Sequence, residues 1–245
     1  MKIDKELALL YGIMLGDGCL SKHVNKKGQP SYFISISGNY YDDKPFYDLI
    51  VLPLIDKFRN NKKTKYRERK DYGKIEVNFC DKKLFVNLEK IGFSRGKKGN
   101  KLNIPQVFTD KKLMKYIVQG FFATDGSIVL TKNPNKFYPR LEAHGIAPNL
   151  ISNIKDYLVE LGLEGHFYEC KRKKNTSFGK NLQIQYRFQF NGKKNLLLFE
   201  NLIGFVNPKQ QNKFLQFIKY EKEYSRKMQN VPTQKQKLIR NKIKL

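Results

Sequence analysis

Leu10-Tyr11-Gly12-Ile13-Met14-Leu15-Gly16-Asp17-Gly18 recurs, loosely, in the second half of the chain as Val118-Gln119-Gly120-Phe121-Phe122-Ala123-Thr124-Asp125-Gly126. Each copy is an apolar helical run with small residues four apart, closed by Asp-Gly. Gly12 and Gly16 fall one helical turn apart on one face, and Gly120 and Thr124 hold the equivalent places. Residues this small let two helix backbones approach closely. Two such helices packed side by side bring their ends together, and each end carries a carboxylate, Asp17 and Asp125. The last carbonyls of a helix are already partly negative, so an aspartate there costs a few tenths to about 1 kcal/mol. A second helix end beside it adds to the repulsion. A divalent cation removes the conflict, and oxygen-only ligands suit Mg2+. Either Asp-Gly alone reads as an ordinary helix stop or turn; the duplicated pair favours the shared centre.

The surroundings repeat as well. In the first half, periodicity and turn signals predict helices over 4–16, 44–58 and 82–91, with strands over 19–24, 31–37, 65–70 and 74–79. In the second half they predict helices over 110–123, 148–162 and 193–203, with strands over 127–132, 138–146, 166–172 and 182–190. An Ile-Gly-Phe triplet closes both units, at Ile91-Gly92-Phe93 and Ile203-Gly204-Phe205, and the offset between triplets nearly equals that between the Asp-Gly motifs. Two motif pairs in one order at nearly one offset indicate an internal duplication. The expected organisation is an N-terminal half over 1–98, a linker over 99–109 and a C-terminal half over 110–228. The C-terminal half ends in a helix over 209–228, and a basic tail occupies 229–245. After Glu223 only basic charges follow, among them Arg226, Lys227, Lys235 and Arg240.

The 245 residues are 40% hydrophobic and 13% aromatic, enough for a substantial core. The net charge of +26 is spread over both halves: residues 1–110 hold 22 basic and 13 acidic side chains, and 111–245 hold 26 and 9. A field of that sign and extent fits a polyanionic partner, with nucleic acid first. No apolar run reaches membrane-spanning length and no amphipathic basic helix stands out, so no membrane partner is expected. A basic ribosome-associated protein is the competing reading of the charge. Cys19, Cys80 and Cys170 form no CxxC pair, and His23, His144 and His166 join them in no zinc spacing, so no zinc site is expected. The odd thiol count and the lack of a signal peptide lead us to expect an intracellular protein. A composition rich in Lys, Asn, Ile, Phe and Tyr suits an A/T-rich genome and points toward an organelle, mitochondrion or chloroplast.

Several strand runs alternate in a way that bears on the partner. Gln183, Gln185, Arg187 and Gln189 share one face, against Ile184, Tyr186 and Phe188 on the other. Lys65, Arg67 and Arg69 share a face, as do Lys74, Glu76 and Asn78, and Arg140, Glu142 and His144. Any one strand of this kind reads as a half-buried sheet with a wet side. Gln and Arg, however, pair bidentately with adenine and guanine edges in the major groove, where a two-stranded ribbon fits. Four such strands per half make a surface for duplex DNA the favoured reading.

The sequences LYGIMLGDG and VQGFFATDG resemble the two motifs of the LAGLIDADG homing endonucleases in their single-chain form. The repeated plan fits that family's αββαββα half over nearly the whole chain. The resemblance implies an α+β fold of two pseudo-symmetric halves with saddle-shaped antiparallel sheets, motif helices packed on the pseudo-two-fold. It implies metal binding by Asp17 and Asp125 above the minor groove, with the preceding carbonyls of Gly16 and Thr124. Mg2+ is the expected cofactor, with Mn2+ as substitute. The family places basic residues near the metals, and here lysines follow both Ile-Gly-Phe triplets: Lys97, Lys98 and Lys101, then Lys209 and Lys213. Lys98 and Lys209 are assigned the assisting catalytic role. Ser37, Asn39 and His144 stand where the family has polar residues near the reacting phosphates. Lys65, Arg67, Arg69, Lys74, Asn78, Arg140, His144, Gln183, Gln185, Arg187 and Gln189 are the expected DNA contacts. The implied activity is site-specific double-strand cleavage across the minor groove that promotes intron mobility, by a monomer on a long asymmetric target. The alternative is an RNA maturase that assists intron splicing on the same fold. A non-enzymatic DNA-binding regulator is a third class, and it would need an appended helix-turn-helix domain that the sequence does not offer.

Overall fold

The computed structural model describes residues 2–133, 136–176 and 179–229. The basic tail expected over 229–245 lies outside them from residue 230 onward. The first half runs α1 (Lys5–Asp17), β1 (Gly18–Val24), β2 (Pro30–Asn39), α2 (Tyr40–Phe46), α3 (Leu52–Phe58), β3 (Tyr66–Arg69), β4 (Lys74–Cys80) and α4 (Lys82–Ile91). The second runs α5 (Lys111–Asp125), β5 (Gly126–Asn133), β6 (Lys136–Gly145), α6 (Pro148–Glu160), β7 (Gly165–Thr176), β8 (Gly179–Asn191) and α7 (Lys193–Leu202). Helix α8 (Pro208–Gln229) follows. The sheets are antiparallel and ordered alike, β1-β2-β4-β3 and β5-β6-β8-β7.

Helix α1 buries residues all round its circumference, from Leu7 and Ala8 to Met14 and Leu15. A helix apolar on every side belongs inside a core, and α1 lies against α5 and its own sheet. Asp4 starts it by accepting from the Leu7 amide at 3.0 Å. The contact with α5 is backbone on backbone. A Cβ on Gly12 would fall 2.3 Å from the Ile117 carbonyl oxygen, and one on Gly120 would fall 2.4 Å from that of Leu9. One turn on, a Cβ on Gly16 would sit 2.0 Å from Thr124 Oγ1. The four-residue spacing of small residues is therefore the contact itself.

The second helix of the first half departs from expectation. It begins at Tyr40, not near 44, because the Asn39 side chain accepts from the amides of Tyr41 and Asp42. Pro45 lies inside it, and a π-helical turn, Tyr47–Val51, joins α2 to α3. A proline in a helix removes one amide donor, and a wider turn accommodates such a break. Strands β7 and β8 run longer than expected, and β3 starts after Lys65. The segment expected as a linker is packed: Ile104 and Phe108 are buried, and the Phe108 ring lies 4.9 Å from that of Tyr11.

Gly12→Ala and Gly120→Ala are each expected to lower stability by about 1–3 kcal/mol or more, since a backbone-backbone contact cannot yield locally. Gly99→Ala, at a position with open space and no positive φ, is expected to be nearly neutral. Urea midpoints of the three variants check this.

Candidate active site at the paired helix ends

Because α1 and α5 touch along their last turns, Asp17 and Asp125 end beside each other. Asp125 Oδ2 lies 3.3 Å from where a Cβ on Gly16 would be, so its carboxylate crosses to the partner helix. Burial pushes the Asp17 carboxyl up to about 7, and the neighbouring charges of Asp125 and Asp43 add to it, against the pull of Lys98 and Lys209. Burial likewise raises Asp125, opposed by Lys98 and His144.

Lys98 reaches this centre through the loop after α4. Arg95 bridges to Leu20, and the Gly96 amide donates to the Leu20 carbonyl at 2.7 Å, which fastens the loop to the edge of β1. Lys98 Nζ then donates to the carbonyls of Met14 at 3.1 Å, Leu15 at 2.9 Å, and Gly16. It is a cation on a helix C-terminus, the favourable sense of the helix dipole. Burial lowers its ammonium's pKa, while Asp125 and Asp17 hold it up.

The second half solves the same problem with amides. Asn207, at the start of α8, donates to the Ala123 carbonyl at 2.9 Å and to Asp43 Oδ1 at 3.2 Å. Gln210 donates to the carbonyls of Phe122 at 2.5 Å and Gly126 at 3.0 Å. Both amides are buried. Lys209, expected to assist the acids, has its Nζ 3.0 Å from Asp42 Oδ2. Sequence reading missed Gln210, Asn207 and Asp43. Gln210 was within reach: it stands as far beyond Gly204 of the second Ile-Gly-Phe triplet as Lys98 stands beyond Gly92 of the first.

The sheets carry the expected DNA contacts on their outer faces. In the first sheet, cross-strand pairs place Arg67 opposite Glu76, Arg69 opposite Lys74 and Asn78 opposite Ser35, while Ile75 and Val77 face the core. Lys65 lies just before β3 and is exposed. In the second sheet Arg140, His144, Gln183, Gln185, Arg187 and Gln189 share the outer face, with His144 opposite Arg187. A cavity of about 280 Å³ joins Asp125, Lys98, His144 and Gln185, so this face opens onto Asp125. Gln189 departs from the expected role: it is buried and donates to Glu142 Oε2 at 2.9 Å, the oxygen that also pairs with Arg140. Its amide orients the Arg140 partner and is not free to read a base. Arg187 lies over the Tyr168 ring at 5.5 Å.

Residues 112–204 match the family model described as a LAGLIDADG-like domain. The likeness of fold extends over both halves. I-DmoI in complex with DNA and Ca superposes with a TM-score of 0.55 at 16% identity, over 81% of this chain and 88% of that one. The LAGLIDADG meganuclease I-AabMI, bound to uncleaved DNA, gives 0.54 at 14% identity, over 92% and 93%. Residues 112–204 are thus similar to a LAGLIDADG-like domain, and the chain shares the fold of these two structures over most of its length. In sequence it is similar to part of the replication factor C small subunit of Methanocaldococcus jannaschii, 27% identical over 221 residues. That match takes in 89% of this chain but only 10% of the relative, so the chain spans about a tenth of that protein's length.

Whether the paired helix ends suit a divalent metal can be judged from the donors. Two half-buried carboxylates with raised pKa values, side by side, form a hard-oxygen set short of positive charge. Among the described residues no group of three or more His, Cys, Asp or Glu side chains converges. The protein alone therefore offers an open site, which Mg2+ tolerates because it keeps several waters and takes phosphate oxygens. The Gly16 carbonyl is engaged by Lys98, but a carbonyl oxygen has two lone pairs and can accept twice. The donors fit.

A carboxyl at about 7 in the folded chain and near 3.8 when unfolded binds its proton more tightly when folded. Its contribution to stability is thus full below the unfolded value and is lost as pH rises through the folded one. Without divalent metal, stability is expected to fall between about pH 4 and pH 7 by on the order of 1 kcal/mol per pH unit from this group. Asp17→Asn is expected to flatten that slope in urea titrations across this range.

Proposed function

We propose that this chain is a sequence-specific DNA endonuclease that hydrolyses one phosphodiester on each strand across the minor groove. The observation that carries the reading is the pair of half-buried carboxylates, Asp17 and Asp125, held together by a glycine-mediated helix contact between two sheets with basic, amide-rich outer faces. I-DmoI structures hold DNA with Ca and with Mn, and one holds its target DNA with Mg, which supports a divalent requirement here. We assign Asp17 and Asp125, with the carbonyls of Gly16 and Thr124, to holding Mg2+, with Mn2+ as substitute. When bound, the cations activate water and stabilise charge on phosphate oxygens. Lys98 adds positive charge beside both acids. Arg67, Arg69, Lys74, Asn78, Arg140, Gln183, Gln185 and Arg187 hold and read the duplex from the outer sheet faces. Two unlike halves in one chain suit a monomer on a long asymmetric site, and intron mobility is the biological role we infer.

The test starts from a plasmid library with a randomised insert, from which cut sequences are recovered. Asp17→Asn and Asp125→Asn are each expected to abolish double-strand cleavage with Mg2+. Affinity for the recovered target, measured in Ca2+, should stay within a few-fold. Cutting by either variant at the original rate would sink the assignment. Binding of structured intron RNA, untouched by loss of both acids, would point to the maturase instead.

On the recovered target, Gln185→Ala is expected to relax base preference at one position, worth about 1–3 kcal/mol of discrimination. Arg67→Ala, if it meets phosphate, should weaken all sequences alike and reduce the salt dependence by about one unit of slope. Competition binding against single-base variants at several salt concentrations separates the two.

A further inference from the structure

Among the described residues two phenols, Tyr11 and Tyr47, are buried with no hydrogen-bond partner, at 0% and 1% exposure. A buried hydroxyl left unpaired carries its full desolvation cost, so each needs a reason. Their surroundings differ. The Tyr11 ring packs on Phe93 and Phe108, its oxygen lies 4.0 Å from where a Cβ on Gly92 would be, and burial alone raises its pKa. Tyr47 is raised by burial first, and then by the charges of Asp17, Asp43 and Glu76. Tyr11 fills a core; Tyr47 faces acids.

The chain around Tyr47 sets it there. It opens the π-helical turn, and its amide donates to the Asp43 carbonyl, so Asp43 and Tyr47 stand one helical turn apart on one face. Gly38, near the end of β2, leaves space between them. A Cβ there would fall 3.0 Å from the Tyr47 ring, 3.1 Å from its oxygen and 3.2 Å from Asp43 Oδ2. Asp43 is fixed by the Asn39 amide at 3.0 Å and by Asn207, whose same nitrogen holds the Ala123 carbonyl of α5. The second half has no such pair. Gly145 matches Gly38, since Gly18 pairs with Ile36 and Gly126 with Ala143, and a Cβ on Gly145 would meet Ile151 Cδ1 at 3.3 Å. An isoleucine therefore satisfies the fold at this place, and the acid and phenol of the first half answer to something else.

The Asp17 carboxylate is the complementary group. Burial and the charges of Asp125 and Asp43 act against its ionisation, and among the described residues no hydrogen bond offsets them. An ionised carboxylate only accepts, and a phenol can donate. Resting on the assignment of Asp17 to Mg2+ above, we propose that Tyr47 is a positioning residue for Asp17. Its hydroxyl donates to a water held between Asp43 and Asp17, and that water fixes which way the Asp17 carboxylate faces. Three polar partners suit one buried water. Groups that orient a metal ligand in this way are worth about ten- to a hundredfold in metal affinity.

Tyr47→Phe keeps the ring and removes only the oxygen, and Tyr11→Phe is its matched control. The first readout needs no DNA: urea midpoints of the full chain across a Mg2+ titration, since a metal bound to the folded state raises the midpoint. Both variants are expected to fold, with metal-free midpoints near that of the wild type. Tyr47→Phe is expected to need about tenfold more Mg2+ for the same rise, and Tyr11→Phe to need no more than the wild type. Adding Tyr47→Phe to Asp43→Asn should cost nothing further, because both act through one water. On the recovered target, half-saturating Mg2+ for cleavage should rise by a similar factor in Tyr47→Phe, with the rate at saturating Mg2+ little changed. A Mg2+ requirement unchanged in Tyr47→Phe, or shifted equally by Tyr11→Phe, overturns the role of Tyr47 and leaves the nuclease reading standing. A wild type whose midpoint responds to Mg2+ through Tyr47 but that cuts no member of the library overturns the nuclease reading alone. No response of the wild type to Mg2+ in either readout overturns both.

Discussion

Everything in this molecule depends on two helices that touch through their backbones. Gly12 and Gly120 remove the side chains that would hold α1 and α5 apart, and Gly16 opposite Thr124 continues the contact to the helix ends. That closeness fixes how the two sheets sit, because each motif helix runs directly into the first strand of its own half, α1 into β1 at Gly18 and α5 into β5 at Gly126. The same closeness brings two carboxylates together at the negative ends of two dipoles. The arrangement that organises the fold thus also creates its largest electrostatic conflict, and the chemistry sits where the conflict is.

The conflict is relieved from outside the helices. An ammonium from the loop after α4 caps α1, and amides from the start of α8 cap α5. Asn207 has a wider part, since one side chain joins the Ala123 carbonyl of α5 to Asp43 of the other half and also accepts from the Lys209 amide at the head of α8. Helix α8 is therefore an integral support of the centre. These partners satisfy the carbonyls, not the carboxylates, and so leave the acids short of positive charge. A site satisfied from within would not need a cation.

The architecture was legible in the sequence because its two strongest signals are periodic. Small residues four apart mark a close helix contact whatever surrounds them, and the Asp-Gly and Ile-Gly-Phe pairs, recurring at nearly the same offset, reveal the duplication. Boundaries were less legible where a cap or a break competes with the apolar pattern. Asn39 starts α2 four residues before the periodic stretch, and the helix absorbs Pro45 with a π turn. In the site, the acids were legible because charge at a helix end is a conspicuous signal, and Lys98 was named through the family resemblance. Gln210, Asn207 and Gln189 were not read correctly, because an amide carries no charge and its role depends on what lies opposite. Gln189 shows this well: its alternation marks an outward position, yet Glu142 across the strand claims it.

The two halves keep the same backbone contact and differ in charge, and sterics explain why. A change at Gly12 or Gly120 meets another backbone, so the contact is held symmetric by sterics. At the capping positions the requirement is only that a donor reach the last carbonyls, and an ammonium or an amide meets it equally well. Selection on the fold therefore leaves Lys98 and Gln210 free to differ. Their electrostatic effect is far from equal, since one carries a full charge into a half-buried site. The symmetry of the scaffold pairs the two carboxylates; the asymmetry of its caps gives them different surroundings.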